Sequence, residues 1–562
     1  MYEQSGDECN ALNNFSKALR VQTKVYGEEN IKVADMYYKV GLLQKAQKST
    51  REALLSFQAA TRVRKKASGR NDAVIADILC EAGQLQMQMK QVDVASKCFN
   101  EALRIRRQIL EERHEKIGES LLYVADVYFA NGLNENAIES IIEGLDIFKL
   151  NGNGRGMLAA GACQRLGAAY NASSDFDKAL SFYKQCLEIK TATSGVHSLP
   201  VAEINHELGS VYFARGDFAR AEEVFRDSVE VKVKTLGEDC LEVASTVLFL
   251  GRVCLNMNSP DEAMMYFEQA RLTKQLHLGD NHLECSEINR DIGDAHQAKG
   301  EFEESLACYN SYLRARRSAA GDDEIVADLL YSIGHIEHKL KRLDEALKAF
   351  ASALALYRVL LGDEHSSVAK TLFGLGDVYE AKWEYKESMK YHKEAFRLHR
   401  RLLGCDDITV AESLDKIASL YMKQPNLEKA LQSMKEALRI KTLLLGKDSL
   451  EVATSLFGMG VIFNDLKEIG KAMECYTVSL DIRKQILGEC SLEVAQTLHN
   501  MGTVFAKERD YSNALSHWRQ ALIAYQDAGF SDENHMVAIT IGNITMAENY
   551  QEEQAKFQTT RM

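Results

Sequence analysis

Two histidines in the middle of the chain are spaced in a way that could hold a metal ion. His335 and His338 lie three residues apart, with Glu337 between them, in a segment whose composition favours a helix. Two imidazoles at this spacing share one helical face and can bind Zn²⁺ together. No third ligand is near in sequence, and the H-E-x-x-H pattern of zinc enzymes is absent. We therefore predict no metal site and assign the pair to a groove or an ordinary surface.

Residues 151–156, with the sequence NGNGRG, are rich enough in glycine to suggest a phosphate-binding loop. Such a loop needs a preceding strand and the pattern G-x-x-x-x-G-K-[ST], and the sequence shows neither. The G-x-S-x-G pattern of serine hydrolases is missing as well. We expect a protein that is not an enzyme, with no catalytic residue and no cofactor.

The amino-acid composition favours α-helices. Of 562 residues, 46% are hydrophobic, 27% are charged and only 3 are proline, so a core is expected throughout. The net charge of −13 repels nucleic acid at long range. The N-terminus lacks the pattern of a secretory signal, and no stretch approaches the ~20 apolar residues of a membrane span. We predict a soluble all-α protein of the cytoplasm, with cytoskeletal association as an option, that neither binds nucleic acid nor inserts into membranes.

A period of 42 residues runs along the chain. Gly167, Gly209 and Gly251 are separated by 42 residues, and the same register extends over twelve repeats. Twelve residues after Gly209 comes a second small residue, Ala221, and four residues further comes the bulky Phe225. Small residues at both places let two helices approach closely, and the bulky group is expected to wedge between them.

The spacing of these residues resembles a known repeat. Leu208-Gly209-x-x-Tyr212, followed by Ala221-x-x-x-Phe225, is similar to the tetratricopeptide (TPR) pattern L-G-x-x-Y…A-x-x-x-F. The usual TPR period is about 34, and the spacing places the eight extra residues after Ala270 and its equivalents. They form either about two added turns of the second helix or one turn and a longer loop. HEAT and armadillo repeats have a similar period without this spacing. The resemblance implies an all-α solenoid, a superhelix of tandem TPR helix-turn-helix repeats, of the 42-residue type found in kinesin light chains and nephrocystin-3-like proteins.

The repeat register divides the chain into five segments. They are an N-terminal half repeat or cap, or the rest of a truncated repeat (1–27), an N-terminal block of repeats (28–150), a glycine-rich link (151–156), a C-terminal block of repeats (157–530), and a C-terminal capping helix with a polar tail (531–562).

A basic residue recurs near the end of the second helix of most repeats. We name the two helices of a repeat helix A and helix B, predicted at about 198–215 and 218–235 in the repeat of Gly209. Basic side chains at this place complement the helix dipole and pair with acidic neighbours. The alternative, a basic stripe for acidic partners or anionic lipid, is left open. The members of this basic ladder are Arg64, Arg106, Lys190, Lys232, Lys274, Arg316, Lys441 and Arg483, with His399 in phase.

The resemblance points to helix A as the lining of a concave peptide-binding groove. The stripe that lies three residues before and one and four residues after each reference position mixes aromatic, acidic and histidine side chains. Such a mixture suits a basic peptide with apolar anchors, although any helical array has some polar face. The candidate groove residues are Tyr331, His335, His338, Phe373, Asp377, Glu380, Asp415, Ser419, Phe457, Asn464, His499, Asn500 and Thr503.

Asn500 belongs to this set by resemblance. Kinesin light chains clamp cargo peptides with a pair of asparagines in helix A, and here only Asn500 matches, beside His499. We expect a scaffold or adaptor that binds peptide segments of partner proteins. The alternatives are a kinesin light chain-like motor cargo adaptor and the regulatory TPR region of a larger enzyme. Partner identity and oligomeric state stay open.

Overall fold

The chain is helical in each of its two parts. A computed structural model of the chain describes residues 8–152, 154, 156–280, 282–531 and 533–559. These residues form α-helices and contain no β-strand. Their contacts divide into two units, Met1–Gly300 and Glu301–Met562. The prediction of an all-α solenoid of repeated helix pairs is confirmed.

The helices alternate between the two members of the repeat. Those of the first unit are α1 Glu8–Tyr26, α2 Ile31–Ala46, α3 Thr50–Ser68, α4 Ala73–Gln88, α5 Val92–Ile109, α6 Glu115–Ala130, α7 Asn134–Leu150, α8 Met157–Ala172, α9 Phe176–Ser194, α10 Leu199–Arg215, α11 Phe218–Leu236, α12 Leu241–Asn256, α13 Pro260–Leu278 and α14 Leu283–Lys299. Those of the second unit are α15 Phe302–Ala320, α16 Glu324–Lys339, α17 Leu343–Leu361, α18 Ser366–Ala381, α19 Tyr385–Leu403, α20 Ile408–Lys423, α21 Leu427–Leu445, α22 Leu450–Asp465, α23 Ile469–Leu487, α24 Leu492–Lys507, α25 Tyr511–Asp527 and α26 His535–Thr559. The even-numbered helices α2 to α24 are the predicted helices A.

Within each unit, every helix A packs against the helix B that follows it, and every helix B packs against the next helix A. In the repeat of Gly209, helices α10 and α11 begin and end within one residue of their predicted bounds. Ala221 and Phe225 are fully buried, and the Phe225 ring lies against Gly209. Neighbouring helices thus bury an apolar stripe that no helix could bury alone, as in other solenoids.

The eight residues that exceed the usual TPR period lengthen helix B. Helix α13 continues from Ala270 to Leu278 and ends before Gly279. Gly279 has a φ of 85°, a conformation that glycine adopts without a steric penalty. After the loop, a capping side chain can begin the next helix A. In a later repeat, for example, the Ser449 hydroxyl accepts a hydrogen bond from the Val452 amide at 3.3 Å. The glycine thus ends the long helix B, and the capping side chain begins the next helix A.

The basic ladder is largely buried and joins neighbouring repeats. Arg106 and Arg483 are each 3% exposed. Each donates to a hydroxyl 14 residues further along the chain, that of Ser120 or Thr497, at 2.8 Å. The same kind of bond joins Lys232 to Thr246, His399 to Ser413 and Lys441 to Ser455. Buried side chains cannot form a docking stripe, so the structural interpretation holds for these residues.

Packing continues across the glycine-rich link at residues 151–156. Helix α7 packs against α8, and Phe148 shares one buried cluster with Ala159 and Ala160. The described residues of the link therefore do not interrupt the stacking of the first unit. A division of the chain into blocks at this link stays a prediction.

The first and last described helices pack on the helices beside them. Helix α1 contacts α2, and α26 contacts α25. On α1 the apolar residues Val21 and Val25 are 59% and 67% exposed. Among the helices that the structure describes, none combines the length and the apolarity that crossing a bilayer requires.

Candidate functional site

The predicted groove stripe opens into a cavity at the repeat of Gly376, within the second unit. Asp377 and Glu380 lie three residues apart on α18, so they share one helical face. With His338 of α16 they line a cavity of about 340 Å³. The other lining residues are Ala381, Trp383, Tyr385, Lys416 and Lys423. Three predicted groove residues from two repeats therefore meet at one place.

Two lysines of α20 neutralise the carboxylates of this cavity. The Lys416 Nζ atom lies 2.8 Å from Oδ1 of Asp377 and 3.7 Å from Oε2 of Glu380. The Lys423 Nζ atom lies 2.6 Å from Oε1 of Glu380. Because α18 and α20 are consecutive helices A, these ion pairs connect neighbouring repeats. The negative charge predicted for this part of the stripe is cancelled inside the protein.

Ion pairs between consecutive helices A also occur in the first unit. Arg165 of α8 contacts Asp126 of α6 at 2.9 Å. Arg252 of α12 contacts Asp291 of α14 at 2.8 Å. In both pairs the partners are 39 residues apart, as Asp377 and Lys416 are. The pairing at the cavity is thus one instance of a general connection between repeats.

The pKa shifts of Glu380 and Lys416 favour the charged form of each side chain. Burial disfavours the ionised form of Glu380, but the hydrogen bond from Lys423 and the charge of Lys416 hold the pKa of its carboxyl below the usual value. Burial also disfavours the charged form of Lys416. The carboxylates of Asp377 and Glu380 outweigh that effect and raise the pKa of its ammonium group.

Trp383 forms an exposed aromatic rim beside the cavity. Its side chain is 78% exposed, and its ring centroid lies 6.2 Å from that of Tyr385. It occupies the turn after α18 with a φ of 63°, an unusual conformation for a bulky residue. The equivalent turn position of other repeats also has a positive φ but holds Lys48, Lys90, Ser174, Asn258, Lys341, Pro425, Lys467 or Arg509. Among these turns, only that of Trp383 presents an aromatic ring.

Phe373 lies one helical turn before Asp377 on the same face of α18. Its ring centroid is 4.9 Å from that of His392 on α19. The Lys416 Nζ atom lies 6.0 Å from the centre of the Phe373 ring. The residue is half-buried by these contacts and presents only part of its ring to a partner.

Tyr331 and His335 form a second aromatic group, on α16. Their ring centroids are 4.6 Å apart and lie 5.7 Å and 5.0 Å from that of Phe350. Burial raises the pKa of Tyr331 and lowers the pKa of His335, so both side chains are neutral at neutral pH. They extend the apolar part of the stripe rather than its charged part.

Three further predicted residues are partly withdrawn from solvent, two of them by contacts with helix B. Asp415 accepts a hydrogen bond from the buried Lys441 at 2.5 Å. Phe457 has the Arg483 guanidinium 4.6 Å from the centre of its ring. Ser419 is half-buried. In these two repeats, the groove residue of helix A therefore contacts the basic ladder residue on helix B of the same repeat.

The remaining predicted residues lie on α22 and α24. Asn464 accepts a hydrogen bond from α24 at 3.0 Å, and Asn500 is half-buried. His499 is only 7% exposed, and its Nδ1 atom lies 2.8 Å from the Thr540 hydroxyl of α26. The Thr503 hydroxyl donates to the His499 carbonyl at 3.0 Å. Because it is buried, His499 has little surface to offer a ligand.

The sequence did not indicate three residues that lie at the cavity or next to its carboxylates. Lys416 lies two positions before its reference residue, outside the predicted stripe. Trp383 lies in a turn, and His392 occupies the position that holds a bulky aromatic residue in most repeats. Aligning the repeats with one another reveals the last two, because each departs from the residue type of its equivalents.

Sequence profiles of known families agree with this architecture. A sequence profile described as tetratricopeptide repeat matches residues 117–192, 200–271, 325–401 and 409–485, more than half of the chain. Two further profiles with that description match residues 290–359 and 76–109. The crystal structure of BtubC (BKLC) from P. vanneervenii is similar over 42% of this chain and 92% of that chain, with 19% identity and a TM-score of 0.37. No curated protein sequence matches the chain.

Proposed function

This chain belongs to the tetratricopeptide repeat family, and from that premise we propose that it is a scaffold or adaptor that holds a peptide segment of a partner protein on its helix A stripe. The observation that supports this proposal most is the cavity on α18 with the exposed Trp383 at its rim. Tryptophan is enriched among the residues that dominate binding energy at protein interfaces.

The charges of the cavity define the kind of peptide that we propose. Asp377 and Glu380 are paired with Lys416 and Lys423, so the cavity has no excess negative charge to attract a basic ligand. The exposed ring of Trp383 is suited to a bulky apolar side chain of the partner. The charged side chains of these pairs can give up part of their contacts with one another and bind polar groups of a peptide backbone instead. An apolar anchor is therefore the main determinant in this proposal, and basic character is secondary.

We further propose that the protein acts in the cytoplasm and has no catalytic activity of its own. The narrower hypotheses, a kinesin light chain-like cargo adaptor and a regulatory region of a larger enzyme, would use the same surface. The identity of the captured partner distinguishes them, because a motor, a cargo protein and an enzyme subunit are different molecules.

The experiment starts by isolating a partner from native lysate and mapping the bound segment. Binding of that segment to the full chain is then measured by calorimetry, for the wild type and for Trp383→Lys. Lysine occupies the equivalent turn in several other repeats, so this variant should fold normally. We expect affinity to fall about 30-fold, the effect of losing an anchor that contributes about 2 kcal/mol.

Val359→Lys is the matched control. Val359 lies on helix B α17 and is 82% exposed, so this change also places a lysine at an exposed apolar position. It should leave binding unchanged. If Trp383→Lys binds the segment as the wild type does while Val359→Lys does not, helix B is the working surface and the proposal is wrong.

A further inference from the structure

His392 fills a position that is aromatic in most repeats. The residue 16 positions after the reference glycine packs against that glycine, as Phe350 and Tyr476 do in their repeats. In the repeat of Gly376 this residue is His392, whose side chain is fully buried. Among the described residues, neither nitrogen of its ring has a hydrogen-bond partner. A phenylalanine would fill the same space without burying an unpaired polar atom, so packing alone does not explain the histidine.

The His392 ring is directed toward the two carboxylates of the cavity. Its Nε2 atom lies 3.6 Å from Oδ1 of Asp377. One ligand atom each from Asp377, Glu380 and His392 lie within 4.8 Å of one another. Two carboxylates on one face of α18 and one imidazole on α19 therefore lie close together.

We propose that His392, Asp377 and Glu380 form a binding site for a divalent transition-metal ion of the Zn²⁺ class. One imidazole nitrogen and two carboxylate oxygens are a donor set that Zn²⁺ uses in proteins, with an open position for water or a further ligand. In a tetrahedral site the ligand atoms are roughly 3.4 Å apart, because each lies about 2.1 Å from the ion. The distance between His392 and Asp377 is already close to this value, and rotation of the carboxylates brings Glu380 nearer.

The surroundings provide access and a neutral ligand. Asp377 and Glu380 are 22% and 18% exposed and line the cavity of about 340 Å³, through which an ion reaches them from solvent. His338 lines the same cavity. An imidazole binds a metal ion through its neutral form, as a ligand without charge.

Lys416 is the competitor for this site. Its ammonium group lies 2.8 Å from Asp377 and 3.7 Å from Glu380, where a metal ion would bind. The side chain is 40% exposed and is therefore able to rotate into solvent. The proposal thus makes opposite predictions for two neighbouring residues. Removing His392 should weaken metal binding, whereas removing the charge of Lys416 should strengthen it.

The test uses Zn²⁺ alone with the full chain, after treatment with a chelator, and does not depend on the proposed peptide binding. Calorimetry and the melting temperature with and without Zn²⁺ are compared for the wild type, His392→Phe and Lys416→Met. We expect His392→Phe to bind at the site at least tenfold more weakly and to lose the metal-dependent rise in melting temperature. Lys416→Met should bind more tightly than the wild type.

His517→Gln, on α25, is the matched control, because it removes a histidine outside the proposed site. It should bind Zn²⁺ as the wild type does. Circular dichroism checks that His392→Phe is folded, which we expect because phenylalanine occupies the equivalent position of other repeats. If His392→Phe binds Zn²⁺ as tightly as the wild type, or if Lys416→Met shows no gain in affinity, the proposed site is wrong.

Discussion

A Cβ atom on Gly209 would lie 2.7 Å from the ring of Phe225. Cβ atoms in real proteins essentially never come so close to another heavy atom, so the ring and a side chain at this position cannot both keep their places. The helix A glycine is therefore a requirement of close packing between the two helices of the repeat. The same relationship joins Gly251 to Phe267 and Gly334 to Phe350.

We predict that Gly209→Ala destabilises the first unit. The added methyl group must displace the fully buried Phe225, and overpacking of this kind costs about 1–3 kcal/mol. Gly542→Ala is the control, because a Cβ there meets no atom of another described element within 4 Å. Alanine in a helix interior is preferred over glycine, so this change should stabilise by up to about 1 kcal/mol. Urea denaturation measures both, and equal effects would contradict the packing argument.

Arg106 and Arg104 provide a matched pair for the basic ladder. Arg106 is buried and donates to the Ser120 hydroxyl and the Lys116 carbonyl, whereas Arg104 pairs with Glu101 on the surface. Arg106→Met removes these buried bonds and the ion pair with Asp77, and should lower the free energy of unfolding by about 2 kcal/mol or more. Arg104→Met should change it by no more than about 0.5 kcal/mol.

The same denaturation experiment in high salt separates the two kinds of contact. Salt screens the exposed pair of Arg104 and hardly affects the buried bonds of Arg106. If Arg106→Met lowers the free energy of unfolding as little as Arg104→Met does, the bonds between repeats contribute little to stability.

His206 should make the stability of the first unit depend on pH. Burial, with a smaller effect of Lys232, lowers the pKa of its imidazole to about 4. In the unfolded chain this pKa is about 6.5, so below that pH the unfolded state takes up a proton that the folded state does not. The free energy of unfolding therefore falls as the pH drops from about 6.5 towards 4, by at most about 1.4 kcal/mol per pH unit from this group.

The variant His206→Leu isolates this contribution, because the next repeat carries Leu248 at the equivalent position. All other titrating groups are present in both proteins. Urea denaturation between pH 7 and about pH 4.5 should show a shallower loss of stability for the variant. Parallel pH dependences would mean that His206 is protonated as easily in the folded state as in the unfolded one.

The sequence predicts the fold well because the signals that define it are local. Gly209, Ala221 and Phe225 lie within one repeat, and their spacing alone requires two closely packed helices. The end of helix B was predictable for the same reason, since Gly279 lies in the segment that it terminates.

The candidate site was predicted less completely because it depends on how neighbouring repeats meet. Asp377 and Glu380 were identified from the period, but their partner Lys416 lies on the next helix A, 39 residues from Asp377. Which side chains meet across that distance depends on the rotation of each helix, which a period does not define. For this reason the ligand that we propose is defined mainly by an apolar anchor, whereas the sequence alone suggested a basic peptide.

Five ladder residues bond to a hydroxyl 14 positions later, and this spacing has a consequence for how such a chain can change in length. Arg483 belongs to one repeat, and its acceptor Thr497 belongs to the next. If a stretch of 42 residues that includes one of these donor–acceptor pairs is duplicated in tandem, both copies keep the separation of 14 residues. Genetic recombination between repeats can therefore lengthen a unit by whole repeats without a compensating substitution.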